Sequence, residues 1–223
     1  NTPLHLRSLA NILSLSAPKN RQLFVTHLSI MSLSSVIVRS ATVADLPFIG
    51  GLIKESFVAL SDHYGASTRS VWEKGAQDVI EDDLSVEKFE NVYFSIPGNH
   101  FWVAQLESEV VGCVAIKRKS SDESELVRMA VASSRRGHGI GGKIIEVLLA
   151  HCKERKVSRI VLGTANPQAA HFYEKAGFRF IKKFEHLLKI PDVPEVSMNV
   201  ASMVYYLGAK VIRKVGLVGG THG

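Results

Sequence analysis

The sequence is poor in the residues that fix crosslinks or metals. Cys113 and Cys152 are its only cysteines, and they do not form a C-x-x-C pair, so there is no disulfide framework. Both read as small buried apolar residues of a reduced compartment. The histidines form no H-x-x-x-H pair and no Cys/His cluster, so no metal site is expected. Acidic residues are absent before Asp45. Long apolar runs are lacking as well. Residues 22–38 carry no charge, but they include Thr26, His27 and four serines, too polar and too short for a membrane span. No internal repeat is present.

The 223 residues suit one domain with extensions, or at most two small ones. The hydrophobic share of 46% is that of a globular protein with a real core. A net charge of +6 suggests nucleic acid, but its distribution argues against that partner. Arg7, Lys19 and Arg21 carry three of the 27 basic residues, leaving 24 against 21 acidic ones, with no basic stripe interleaved with aromatics. Two readings of the N-terminus stay open. Residues 1–30, rich in Leu and Ser, have the composition of a transit peptide, or the natural start is Met31 and what precedes it is foreign. The division expected is 1–35 as leader or extension, 36–207 as the folded domain and 208–223 as a frayed tail. The compartment expected is the cytoplasm, or the mitochondrion if the leader is genuine.

Periodicity gives the elements. Val36–Val38 is a first strand. Thr42-x-x-Asp45 is a capping-box-like start to a helix over 46–60, and 68–90 reads as a second helical stretch. Residues 100–106, 110–117 and 125–131 form a meander of three strands. A helix over 140–155, a strand 159–164, a helix opened by Asn166-Pro167 and capped by Gly177, and strands 178–186 and 202–209 follow. The fold class is α/β, a mixed, partly antiparallel sheet covered by helices on both faces.

The stretch RRGHGIGGKI at 135–144 fits three phosphate loops, each placing N–H groups at a helix N-terminus. A Walker A loop needs Ser or Thr after Lys143 to hold magnesium, and Ile144 stands there. A dinucleotide fingerprint, Gly137-x-Gly139-x-x-Gly142, needs a carboxylate at the end of the next strand, and Leu162-Gly163-Thr164-Ala165-Asn166 has none. The third pattern is Arg136-x-x-Gly139-x-Gly141. With the strand LVRMAV before it and the helix KIIEVLLAHC after it, it resembles motif A of the GNAT superfamily, the Gcn5-related N-acetyltransferases. Asn166-x-x-Ala169-x-x-Phe172-Tyr173-x-Lys175-x-Gly177-Phe178 resembles motif B. The resemblance covers about residues 36–207. ELVRMAV, RGHGI, VLGTA and AAHFYEKAGF are similar to the camello-like branch, which includes cysteine-S-conjugate and aspartate N-acetyltransferases. That branch carries a hydrophobic membrane segment in its N-terminal half. Here Gly50, Gly51, Lys54 and Glu55 break any such run.

The resemblance implies the GNAT fold, a central sheet of about seven strands, and acetyl-CoA as acyl donor. It implies that Arg136, Gly137, His138, Gly139, Ile140 and Gly141 form the pyrophosphate loop, with Arg135 and Lys143 as nearby charges. The main chain of Met129, Ala130 and Val131 would pair with the pantetheine arm. Asn166 would hydrogen-bond that arm or simply cap its helix. Tyr173 is the candidate general acid, because a phenol near 10 stays protonated above a thiol near 8.5. Glu125 is the candidate general base; by alternation it shares a face with Val127, Met129 and Val131. The expected function is acetyl transfer to a primary amine of a small molecule or amino-acid conjugate. Acetylation of a protein lysine or N-terminus, and a non-catalytic CoA-binding sensor, remain as alternatives. A monomer and a homodimer are equally open. Residues 50–98 and the loop 186–202 would select the acceptor, and neither carries a motif.

Overall fold

The structure, a computed structural model, describes residues 35–208. The leader segment, Met31 and the tail beyond 208 lie outside the described residues. One sheet of seven strands runs in the order β1-β2-β3-β4-β5-β7-β6. The strands are β1 (Val36–Ser40), β2 (His100–Leu106), β3 (Glu109–Arg118), β4 (Glu123–Val131), β5 (Arg159–Thr164), β6 (Arg179–Leu188) and β7 (Val196–Tyr206). The helices are α1 (Leu46–Val58), α2 (Ser61–Tyr64), α3 (Arg69–Asp83), α4 (Val86–Tyr93), α5 (Ile140–Glu154) and α6 (Pro167–Lys175). Every neighbouring pair is antiparallel except β4 with β5.

Helices cover both faces of the sheet. Ile140, Ile144, Ile145, Leu148 and Cys152 recur along one side of α5 and bury against Trp102, Val114 and Ile116. On the other face, Ile49, Leu52 and Ile53 of α1 and Phe89 and Tyr93 of α4 bury against Phe101, Val103, Cys113 and Ala115. Strands β2 and β3 lie between these layers, which is why they read as unbroken apolar runs rather than alternating ones. The turn into α1 is fixed by one carboxylate. Asp45 accepts from the Thr42 backbone N–H at 2.8 Å and from two guanidinium nitrogens of Arg39 at 2.8 Å each. The Arg39 hydrogen bond holds its pKa down to about 2.

The structure corrects three expectations. The stretch 68–90 is two helices, because the first run closes at Leu84 and the backbone turns extended at Ser85, the N-cap position of the next. β7 begins at Val196 rather than 202, so most of the expected loop 186–202 is a β6–β7 hairpin. Ser197, Asn199 and Ser202 hid that strand, since polar residues are tolerated where a strand's face meets water. Third, β4 carries a bulge. Cys113 faces Ala130 but Ala115 faces Val127, and the extra residue is Arg128, at φ 55. The bulge reverses the alternation. Met129 and Val131 lie on the α5 face with Leu126, whereas Val127 and Ala130 lie on the α1 face. Glu125, regularly spaced from Val127, therefore stands on the face opposite Met129 and Val131.

His151 of α5 packs edge-on against Trp102 at 4.7 Å and lies 5.1 Å from the His100 ring. Its Nε2 is buried and has no hydrogen-bond partner among the described residues. Burial, with Arg155 and His100 nearby, pushes its pKa down from 6.5 to about 4. The folded ring is thus neutral where the unfolded ring would gain a proton. Its contribution to stability is complete above pH 6.5 and is lost as pH falls from there toward 4. Thermal melts across that interval are expected to show a falling Tm for the wild type and a flatter profile for His151→Phe. Parallel profiles would contradict the assignment.

Candidate active site

β4 and β5 pair over only three positions, Glu123 with Arg159, Ser124 with Ile160 and Glu125 with Val161. Beyond that rung β4 pairs with β3 alone and β5 with β7 alone. The strands part and leave a cleft walled by two backbone edges. Among the described residues, each edge presents N–H and C=O groups with no strand opposite, the condition for an extended ligand to add as a strand.

The glycine loop lies at the open end of β4. A 3-10 turn, Ser133–Arg135, leads into it, and the Ser133 N–H donates to Glu55 Oε1 of α1 at 2.8 Å. Gly137 and Gly139 sit at φ 78 and 81, a left-handed backbone that costs a residue with a Cβ about 1 kcal/mol or more. Gly141 answers a different need: a Cβ there would stand 3.1 Å from the Phe172 ring of α6. Among the described residues, the N–H groups of Gly137, His138 and Gly139 meet no acceptor. Those of Ile140, Gly141 and Gly142 belong to the first turn of α5, which has no intrahelical acceptors. The loop is therefore a concave set of free donors at the positive end of a helix.

The expected cations divide. Arg136 reaches back along the cleft, its Nε donating to the Val131 carbonyl at 3.1 Å. Arg135 pairs with Glu109 at 3.4 Å, and Lys143 turns under the sheet to donate to the Val36 carbonyl. Arg135 and Lys143 are thus engaged elsewhere. His138 is exposed, with Nδ1 2.8 Å from the Arg136 carbonyl.

Across the cleft, Tyr173 on α6 is 6% exposed. Its ring packs edge-on against Phe172 and Phe178, with Ala169 and Ala170 in the same apolar cluster. Burial, reinforced by Cys113, raises its pKa above the ordinary phenol value. Its hydroxyl makes no hydrogen bond among the described residues, so it is a neutral donor left free. Asn166 caps α6, accepting from the N–H groups of Gln168 at 2.9 Å and Ala169 at 3.3 Å; its amide NH₂ remains available. Tyr64 bridges the cleft mouth by donating to the Ala165 carbonyl at 3.0 Å. An open hollow there is lined by Leu60, Asp62, His63, Arg136, Asn166 and Gln168.

Met129 and Val131 turn their side chains into the α5 layer, and Ala130 is buried in the other, so these residues offer the cleft only main chain. Glu125 stands at its closed end, ion-paired with Lys119 at 3.2 Å. A buried group beside the cleft has no signal in the sequence. Asp83, 2% exposed, accepts from Tyr93 Oη at 2.7 Å, from Arg128 Nη2 at 3.0 Å and from Lys117. Burial pushes its pKa up, but the hydrogen bonds from Arg128 and Lys117 outweigh it and the net shift is downward. Cys113 Sγ lies 3.2 Å from the Arg128 carbonyl, and burial pushes that thiol up to about 12, which makes it packing and not a nucleophile.

The sequence profile of the acetyltransferase (GNAT) family matches residues 57–178, more than half of the chain. The chain belongs to the GNAT family. This GNAT chain is 37% identical to human N-acetylaspartate synthetase over 124 residues, which are 52% of the chain and 38% of that protein. It is 31% identical to the probable N-acetyltransferase camello of Xenopus laevis over 130 residues, 56% of each. The chain thus spans between about two fifths and just over half of the length of these relatives. In fold it is similar to the PaiA N-acetyltransferase of Thermoplasma acidophilum, solved in complex with coenzyme A, with a TM-score of 0.59, 18% identity and coverage of 78% of this chain and 99% of that one. The GNAT domain holds no helix, among the described residues, long and apolar enough to cross a membrane.

Removing the Asp83 charge leaves Arg128 and Lys117 partly buried without a counter-ion. Asp83→Leu is expected to lower stability by about 3 kcal/mol. The double variant Asp83→Leu, Arg128→Met is expected to recover part of that loss in urea unfolding. A double variant as unstable as the sum of the two single changes would contradict the pairing.

Proposed function

We propose that this chain is an acetyl-CoA-dependent N-acetyltransferase acting on the primary amine of a small molecule or amino-acid conjugate. The observation that carries the reading is the parted edge of β4, ending in a loop of free N–H groups at a helix N-terminus. Coenzyme A has the matching chemistry, a peptide-like arm joined to a pyrophosphate. Bound acetyl-CoA would supply the thioester whose carbonyl carbon the amine attacks.

The chain's own residues then have distinct tasks. The N–H groups of Gly137 to Gly141, with Arg136, hold the pyrophosphate. The main chain of Met129, Ala130 and Val131 hydrogen-bonds the arm, and an N–H of that stretch donates to the carbonyl oxygen as charge builds on it. The Asn166 amide reaches the arm from the other side. Glu125, at the closed end of the cleft, accepts the ammonium proton through water. Tyr173 donates to the departing sulfur. Its raised pKa keeps it protonated and also makes full transfer to a thiolate, whose thiol titrates near 8.5, uphill. The phenol therefore acts by donating a hydrogen bond to the sulfur as charge builds on it, and any proton it gives up is restored from solvent as coenzyme A leaves.

Similarity to the N-acetylaspartate synthetase favours an amino-acid α-amine as the acceptor class to test first. Thiol release from acetyl-CoA would be followed with amino acids, cysteine conjugates, polyamines and peptides as acceptors. Release driven by a small amine supports the proposal; no release with any of them contradicts it. Tyr173→Phe is expected to lower kcat about 100-fold while leaving the KM for acetyl-CoA nearly unchanged. A wild-type rate for this variant would remove Tyr173 as the acid.

A further inference from the structure

Among the described residues, β6 ends the sheet with its outer edge unpaired, and every residue from Arg179 to Leu187 is exposed, on both faces. Four of them are large and apolar: Phe180 at 52%, Ile181 at 51%, Leu187 at 45% and Phe184 at 41%. An exposed apolar edge is a template for another strand. We propose that it pairs antiparallel with the β6 edge of a second copy of this chain, about a two-fold axis at Phe184.

Charge decides the partner and the register. From Lys182 onward, past the bulge at Phe180/Lys182, β6 is regular. Directly opposite residues in an antiparallel pair share a face and interact. With the axis at Phe184, Lys183 meets the partner's Glu185 and Glu185 meets the partner's Lys183. Phe184 meets the partner's Phe184, and Lys182 meets the partner's His186. Moving the axis one residue back sets Lys183 against the partner's Lys183; moving it one forward sets Glu185 against the partner's Glu185. Lysines on an edge ordinarily keep other strands away. Here Lys183 has a complementary acid two residues on, so the same edge that repels a basic strand accepts a copy of itself. The surface lies at the far end of the sheet order from β1 and is separated from β4 by β5 and β7, so it is independent of the proposed reaction.

Sedimentation velocity on the full chain over a wide concentration range is expected to show a reversible dimer. Lys183→Glu alone and Glu185→Lys alone each place like charges at both symmetric contacts, and each is expected to raise the dimer Kd roughly tenfold or more. The double variant Lys183→Glu, Glu185→Lys is expected to restore the dimer. An equimolar mixture of the two single variants is expected to form a heterodimer tighter than either homodimer. These side chains are exposed, and thermal melts would verify that each variant folds. A wild type that stays monomeric at every concentration would overturn the proposal. So would a dimer indifferent to both single reversals, or a double variant no better than the singles.

Discussion

Two neighbouring parallel strands that stop pairing after three rungs set the terms for the rest of this molecule. A backbone edge deprived of its ladder must find other partners. The sheet stays whole because each strand is secured on its other side, β4 by β3 and β5 by β7. What remains between them is a cleft whose walls are main chain. The bulge at Arg128 bends β4 where the strands part, and that residue adopts a left-handed backbone without being glycine. Its guanidinium is anchored to Asp83, which also ties in Lys117 and Tyr93. The buried ion pair joins α3, α4, β3 and β4 behind the cleft. It is a costly element that keeps the wall in one shape.

The same division of labour runs through the proposed chemistry. In the proposal, recognition of the donor rests on backbone groups and on three glycines that serve two physical ends. Gly137 and Gly139 supply backbone angles, and Gly141 supplies room beside Phe172. Side-chain chemistry is concentrated in one buried phenol, kept neutral by the apolar cluster around it. The acceptor has no such built frame. The hollow near Asp62 and His63 is open, and only its Arg136 and Asn166 side belongs to a sequence motif.

The fold was largely legible because its strongest signals are local. The apolar runs of β2 and β3, the periodicity of α5, the Asn166-Pro167 start of α6 and the glycine loop all follow from spacing within one element. Four features escaped because they depend on contacts between elements. The bulge is carried by an arginine, which gives no turn signal, and it moved Glu125 to the face opposite Met129. The break before Ser85 was marked only by a capping residue within a helical pattern. β7 began early because polar residues on an exposed hairpin do not alternate with apolar ones. Arg135 and Lys143 looked like phosphate ligands by proximity in sequence, but Glu109 and the Val36 carbonyl, both distant in sequence, engage them. Arg136 instead donates to the Val131 carbonyl at the open end of β4.

Donor recognition by the main chain of a parted strand is the claim on which the functional account rests, and hydrogen–deuterium exchange reads it directly. Amide exchange would be followed peptide by peptide with and without acetyl-CoA. The account predicts protection confined to two segments, 126–131 of β4 and 137–142 of the loop and first turn of α5. Protection elsewhere with those amides unchanged, or no protection at saturating acetyl-CoA, would contradict it.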